Sequence, residues 1–277
     1  MDIATITIPD IKFKEYLIKK FDFDRDGEMS FFEAQQVKSI ICCELGISSL
    51  SGIEFFQNLE NLNCSKNEIV TLDLSNNSKL KSVKCTDNFK LMELNISNCT
   101  NIEYLNCIQT HLQQLDISTI TNLKNLYCGN IGLENINTLK NEELEILSCR
   151  FNPIGQIDVH NNKKLKVLNV RGCKITIDIK LCNCPLLEYL DCRDNEISKL
   201  YLGSNPNLKF LNCYNNPLLH EVLIDDDQFI EKVISPIEPI TEPHKKPLMG
   251  KHTGLARLLL RDITSKIRSR LSWKRDI

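Results

Sequence analysis

One stretch of the chain has residue types and spacing suited to binding a metal ion. From position 22 it reads Asp22-Phe23-Asp24-Arg25-Asp26-Gly27-Glu28-Met29-Ser30-Phe31-Phe32-Glu33, which meets the pattern D-x-D-x-D-G-x5-E at every defined position. Carboxylates at alternate positions supply hard oxygen ligands, the kind calcium takes. In this reading Asp22, Asp24 and Asp26 bind through their side chains, and Gly27 permits a sharp turn. Glu28 gives its backbone carbonyl, Ser30 acts through a water, and Glu33 closes the site with both carboxylate oxygens. The cofactor expected is a single Ca2+ ion. The competing reading is an acidic turn ahead of a helix, because Ser30 and Glu33 also form a capping box.

Little else in the chain points to catalysis. The histidines, His111, His160, His220, His244 and His252, fall in no nucleophile or metal-ligand pattern. There is no glycine-rich phosphate loop and no paired-carboxylate phrase outside positions 22–33, so the chain is read as non-enzymatic. The thirteen cysteines look at first like a disulfide framework or a zinc site. Their register says otherwise. Cys42, Cys64, Cys85, Cys107, Cys128, Cys149, Cys192 and Cys213 recur at steps of 21 or 22 residues, with Val170 filling one slot. A small, weakly polar residue repeated at one slot reads as packing. Cys99, Cys173 and Cys184 fall where other half-repeats place Asn, and Cys43 and Cys182 fall outward.

Stepping along the chain, Ile11–Phe21 carries apolar residues at helical spacing and leads into the acidic loop. Positions 1–36 therefore read as a helix-loop-helix cap. From 37 to 229 a phrase of the form Leu-x-x-Leu-x-Cys-x-x-Asn-x-Ile recurs, as in Leu59 to Ile69 and Leu187 to Ile197. A fixed period of this size means a solenoid whose turns bury their apolar edges only against their neighbours. A second phrase follows about ten residues on, as Leu72-Asp73-Leu74, Leu94-Asn95-Ile96 and Leu200-Tyr201-Leu202. The expectation is two short strands per coil and two parallel sheets facing across a narrow core. Asn67, Asn88, Asn152, Asn195 and Asn216 should form a side-chain ladder, which Thr110, Ile131 and Cys173 interrupt.

These phrases resemble the leucine-rich repeat, in its nested and mostly bacterial class of about 21 residues per coil. The acidic loop resembles EF-hand and dockerin-type loops, although only one is present. The fold implied is a mainly β repeat solenoid with two short parallel strands per 21–22-residue coil, an α-helical calcium-loop cap and a basic C-terminal helix. The resemblance also implies recognition of a protein, or sometimes a glycan, on the exposed face of the strand sheet. Period-2 geometry supplies the candidates. Tyr189, Phe210 and Tyr214 project from this face beside a column of Arg150, Arg171 and Arg193. Aromatic and Arg side chains are enriched at binding hot spots. Strands about 4.8 Å apart hold the arginines close enough to repel one another unless something acidic covers them. The alternative is a solvated face with Asp191 and Asp194 nearby. Another column, Lys38, Glu60, Lys81, Glu103, Lys124, Glu145, Lys166, Glu188 and Lys209, alternates in sign without a fault, which favours one register.

At 277 residues the chain is 42% apolar and only 6% aromatic, with net charge −2. Positions 244–277 hold ten Lys or Arg against two Asp, so the remainder is strongly acidic. Positions 230–252 read as a proline-containing linker. Positions 253–277 read as a basic amphipathic helix, with Arg257, Arg261, Arg268 and Arg275 along one side. Such a helix suits an anionic membrane or an acidic partner. The other readings are docking on the chain's own acidic body, or disorder. No specific nucleic-acid motif is present. The second functional expectation is accordingly a calcium-dependent regulator whose basic tail docks on a membrane or an acidic partner. Location is pulled two ways. The opening residues lack a secretory signal and unpaired thiols suit a reducing interior, whereas the calcium loop and the resemblance suit a bacterial surface.

Overall fold

A Leu-x-x-Leu-x-Cys phrase places alternate side chains on one side of an extended backbone, and stacking such phrases in register buries that side. This is what the repeats do in the computed structural model, which describes residues 5–179, 181–225, 228–235 and, for the backbone alone, 255–257. A ten-stranded sheet takes one three-residue strand per coil, from Ser39–Ile41 to Lys232–Ile234. Neighbours are parallel throughout, in a register running from Ser39 opposite Asn61 to Phe210 opposite Lys232. The middle residue of every strand is buried, from Ile40 to Val233. Full burial of such a side chain stabilises by roughly 1.5–3 kcal/mol. The cysteine slot lies behind it, fully buried in all eight cases. The thiols of Cys64, Cys85, Cys107, Cys149 and Cys213 lie near carbonyls of the next coil, as from Cys64 Sγ to Lys84 O at 3.5 Å and from Cys107 Sγ to Tyr127 O at 3.6 Å.

The asparagine ladder forms as expected. Asn67 Nδ2 donates to Cys42 O at 2.7 Å and Cys64 O at 2.9 Å, while its Oδ1 accepts from the N–H groups of Leu45 and Ile47. One side chain thus ties two coils together. The sign-alternating column also pairs between coils. Glu60 lies 3.4 Å from Lys38 and 2.7 Å from Lys81, and Lys124–Glu103, Lys166–Glu145 and Lys209–Glu188 each close to 2.8 Å. These exposed pairs are worth little individually, so their use is to oppose slips in register.

Three features depart from expectation. The main sheet continues past position 229, through Ile230-Glu231-Lys232-Val233, a tenth copy of the apolar phrase in which Glu231 prolongs the charge alternation. The outer sheet is not continuous. Among the described residues, outer strands form at Thr71–Asp73 with Glu93–Asn95, and again at Lys199–Tyr201 with Glu221–Asp225. The coils between bury Ile117, Ile157 and Val159 without forming outer strands. The lapse begins at the coil of Thr110, where the asparagine ladder is also interrupted. Lastly, Leu255–Arg257 is a strand antiparallel to Glu221–Asp225, not part of a helix. The edge of that outer sheet presents unpaired backbone groups, and this segment meets them. The rest of the expected basic helix, with Arg261, Arg268 and Arg275, lies outside the described residues. No helix among the described residues is long and apolar enough to cross a membrane.

At the other end α1 (Ile11–Phe21) and α2 (Phe31–Gln36) close the stack. Phe13, Leu17, Met29 and Ala34 join the core of the first coils. Asp10 caps α1 through Phe13 N–H, and its second oxygen accepts from Ser48 and Ser49 of the first coil. The Tyr16 hydroxyl accepts from Ile41 N–H at 3.0 Å, satisfying the edge of the first strand.

Candidate functional site

The acidic loop joins α1 to α2, and its shape follows from hydrogen bonds to its own carboxylates. Asp22 Oδ1 accepts from Arg25 and Asp26 N–H, and Asp22 Oδ2 from Gly27 N–H at 3.0 Å. Arg25 and Gly27 both have positive φ, at 63° and 85°. Carboxylate oxygens of Asp22, Asp24 and Glu33 lie within 4.8 Å of one another. Asp26 stands outside that group, with Oδ1 accepting from Glu28 N–H at 2.8 Å. The Glu28 side chain pairs with Lys14 at 2.7 Å, which leaves its proposed role to the backbone. Ser30 and Glu33 form a complete capping box, and the Ser30 hydroxyl donates to Glu33 Oε2 at 2.8 Å.

The charge balance of this loop fits a hard dication. The Asp26 N–H bond to Asp24 pulls the Asp24 carboxyl down. Partial desolvation and the negative charges of Asp26, Glu33 and Asp22 outweigh it, so Asp24 lies above the ordinary value. A cation among three converging carboxylates would remove that repulsion. Glu33 is desolvated, but bonds from Ser30, Phe23 and Asp24 more than compensate and hold its carboxyl below the ordinary value.

The second candidate is the C-terminal half of the main sheet's exposed face. Tyr189 and Phe210 are opposed across neighbouring strands, and their rings stack at 4.4 Å with planes 2° apart. Lys232 Nζ lies 5.6 Å from the Phe210 ring centre. Ile146 and Val167 continue the strip, which borders an open groove of about 380 Å³ edged by Glu145, Lys166, Glu188 and Lys209. The arginine column runs along the other border and is largely neutralised from within. Arg171 Nε meets Asp194 Oδ2 at 2.6 Å, and its guanidinium lies 4.9 Å from the Phe151 ring centre. Arg193 Nε lies 3.1 Å from Asp191 Oδ2, close for an ion pair although its N–H is not aimed at that oxygen. Asp191 is fully buried, and desolvation raises its carboxyl above the ordinary value in spite of Arg193. Arg150 and Tyr214 remain exposed.

Sequence reasoning that ends the repeats at 229 misses Lys232; the Ile230-x-x-Val233 spacing and the charge of Glu231 are the available signals. It also misses Phe151. That residue belongs to a column two positions past the cysteine slot, which adopts positive φ in every coil from Glu44 to Asn215. Phe151, at φ 58°, lies over Gly172, where an added Cβ would come within 2.8 Å of the ring. Nothing in the residue types of this column advertises its conformation.

No protein-family model and no curated protein matches the chain. Solved structures do. The functional domain of InlJ from Listeria monocytogenes, described as including a cysteine ladder, aligns over 84% of this chain and 62% of its own length at 23% identity, with a TM-score of 0.57. Thus the chain spans about three-fifths of that structure. The fold is a leucine-rich-repeat solenoid. Internalin C2 of the same species aligns over 72% of this chain and 92% of its own at 21% identity and TM-score 0.54. A leucine-rich-repeat protein of Leptospira interrogans aligns over 63% and 57% at 23% identity and TM-score 0.54.

Proposed function

We propose that the chain is a non-enzymatic protein-interaction module of the internalin-like leucine-rich-repeat kind, with its N-terminal cap held by one calcium ion. The partner is placed on the C-terminal half of the main sheet's exposed face. The observation that carries this reading is the parallel stack of Tyr189 on Phe210 beside Lys232, extended by Ile146 and Val167 on strands whose backbone is fixed by in-register pairing. Rigid aromatic side chains bind at small entropic cost, and aromatic and Arg residues dominate measured hot spots. Arg150 and Tyr214 extend the surface, and Arg171 and Arg193 contribute as ion-paired members of its rim. Calcium enters as a structural ion, because the loop is fused to a rigid stack and Asp22, Asp24 and Glu33 converge at its docking end.

The test substitutes Tyr189→Ala together with Arg171→Ala. Proteins retained by the wild-type chain in cross-linking pull-downs should be lost from the double variant, while its melting temperature stays within about 2 °C, since both side chains are partly exposed. Equal retention by both proteins would sink this site.

A further inference from the structure

We propose a second binding site, for a neutral oligosaccharide, in a groove on the turn edge of the coils of Cys85, Cys107 and Cys128. It is independent of the exposed sheet face, and two regularities of the solenoid lapse together where it opens. In five coils an asparagine three residues past the cysteine slot ties its turn to the preceding coil. Asn88 does this by donating to Cys64 O and Cys85 O, both at 3.0 Å. Asn152 accepts from the N–H groups of Ile131, Gly132 and Leu133 at 3.0–3.1 Å. Between them stand Thr110 and Ile131. Thr110 Oγ1 turns back to Cys107 O of its own coil at 3.0 Å, and Ile131 has no polar atom to offer. The N–H groups of Thr110 and Leu112, which occupy the places of Ile131 and Leu133 one coil earlier, therefore receive no ladder amide. The outer strand pair also ends here, with Glu93–Asn95 unmatched by a strand in the next coil. The coil of Cys85 takes 22 residues to reach Cys107, and Phe89 in its turn is 59% exposed.

What opens is a cavity of about 600 Å³, inside the range of about 300–1,000 Å³ usual for small-ligand sites. Its side chains define the ligand. Gln109, Gln113, Gln114, Asn130 and Asn135 bring five carboxamides to its walls. Each amide carries donors and an acceptor on one rigid plane, which complements hydroxyl groups that also donate and accept. An apolar ligand would leave those amides without partners, a costly outcome. Glu134 is the one formally charged residue of the lining, and no Lys or Arg lines it. Phosphates, sulfates and carboxylates thus find no countercharge, whereas a carboxylate acceptor suits paired hydroxyls. Phe89 supplies an apolar ring at the rim against which the C–H face of a pyranose can pack, and His111 Nδ1 bonds to Phe89 O and holds that rim in place. Amides, one acid and one exposed ring, with no basic group, specify an uncharged polyhydroxyl compound.

The experiment is saturation-transfer difference NMR on the full chain with cellotriose, maltotriose and chitotriose, and with glucose 6-phosphate as the anionic comparison. At least one trisaccharide should show transfer and the phosphate none. Phe89→Ala with Gln113→Ala, both exposed positions, should weaken binding about tenfold, the equivalent of about 1.4 kcal/mol. Ile131→Asn should restore the ladder, narrow the groove and abolish transfer without lowering the melting temperature. The Tyr189→Ala and Arg171→Ala protein should bind the sugar as wild type does. No transfer from any trisaccharide, or transfer unchanged in the Phe89/Gln113 variant, overturns the proposal. Equal transfer from glucose 6-phosphate overturns its selectivity for neutral ligands.

Discussion

Asn152→Ala removes five hydrogen bonds with one side chain. Nδ2 donates to Cys128 O at 2.8 Å and to Cys149 O at 2.7 Å, and Oδ1 accepts from the N–H groups of Ile131, Gly132 and Leu133. The residue is 1% exposed. At about 0.5–1.5 kcal/mol net per bond, the sum lies between about 2.5 and 7.5 kcal/mol. Gly132 is exposed and its N–H regains water, so the expected loss is about 3–5 kcal/mol. Asn161→Ala is the matched control, because its Nδ2 makes one exposed bond to Leu139 O at 3.2 Å and its loss should cost at most about 0.5–1 kcal/mol. Urea denaturation followed by far-UV circular dichroism measures both, read from midpoints at constant slope. A cost for Asn152→Ala no larger than that of Asn161→Ala would refute the idea that the ladder amide joins the coils. The same reasoning explains the tolerated exceptions. Cys173 supplies only the donor half, to Cys149 O at 3.2 Å, and the coil of Thr110 loses the amide and opens into a groove.

Three further outcomes are expected. Calcium at about a hundredfold above its dissociation constant adds about 2.7 kcal/mol, so melting should rise by roughly 5–10 °C over a chelated sample; Glu33→Gln, which keeps an acceptor for Ser30, should lose the shift, and identical melting with and without calcium removes the ion from the account. Bonds from Phe13, Ser48 and Ser49 outweigh desolvation and hold the Asp10 carboxyl below its ordinary value of 3.8; since the folded value lies below the unfolded one, this clamp contributes fully above the unfolded value and is lost as pH falls through the folded one, so hydrogen-exchange protection of α1 should drop in that acid window for the wild type and not for Asp10→Asn. Burial pushes the thiols of Cys42 and Cys85 up to about 12, so maleimide on the native protein should label Cys182 and Cys43, and mass-spectrometric detection of native labelling at Cys64, Cys107 or Cys192 would contradict their burial.

The solenoid was legible because its signal is periodic: the cysteine slot, the apolar phrase and the alternating charges all count the same coils, and parallel in-register stacking is the arrangement that satisfies the three together. All five ladder asparagines, and the residues that interrupt the column at 110, 131 and 173, could be read from the same count. What could not be read depends on contacts between coils whose geometry no residue type announces. The arginine column allows two readings in sequence, an uncovered cluster or a face with Asp191 and Asp194 nearby, and residue types alone do not choose between them. Asp194 comes from the next coil, and it reaches Arg171 from a turn position held at φ 59° that other coils fill with Glu, Lys, Asp, Gln, Asn, Phe or Gly. Because conformation there is set by the stack and not by the residue, charge carried at that position cannot be assigned to solvent or to a neighbour until the stack is seen. The outer strands lapse for a related reason: Leu115 and Ile117 repeat the apolar outer phrase, yet apolar residues alone do not make backbone bonds, and among the described residues neither the coil of Thr110 nor that of Asn152, which keeps its amide, forms an outer strand. The amide ladder and the outer strand pair both lapse at the coil of Thr110, and the groove there is the feature of this chain that a repeat consensus would have erased.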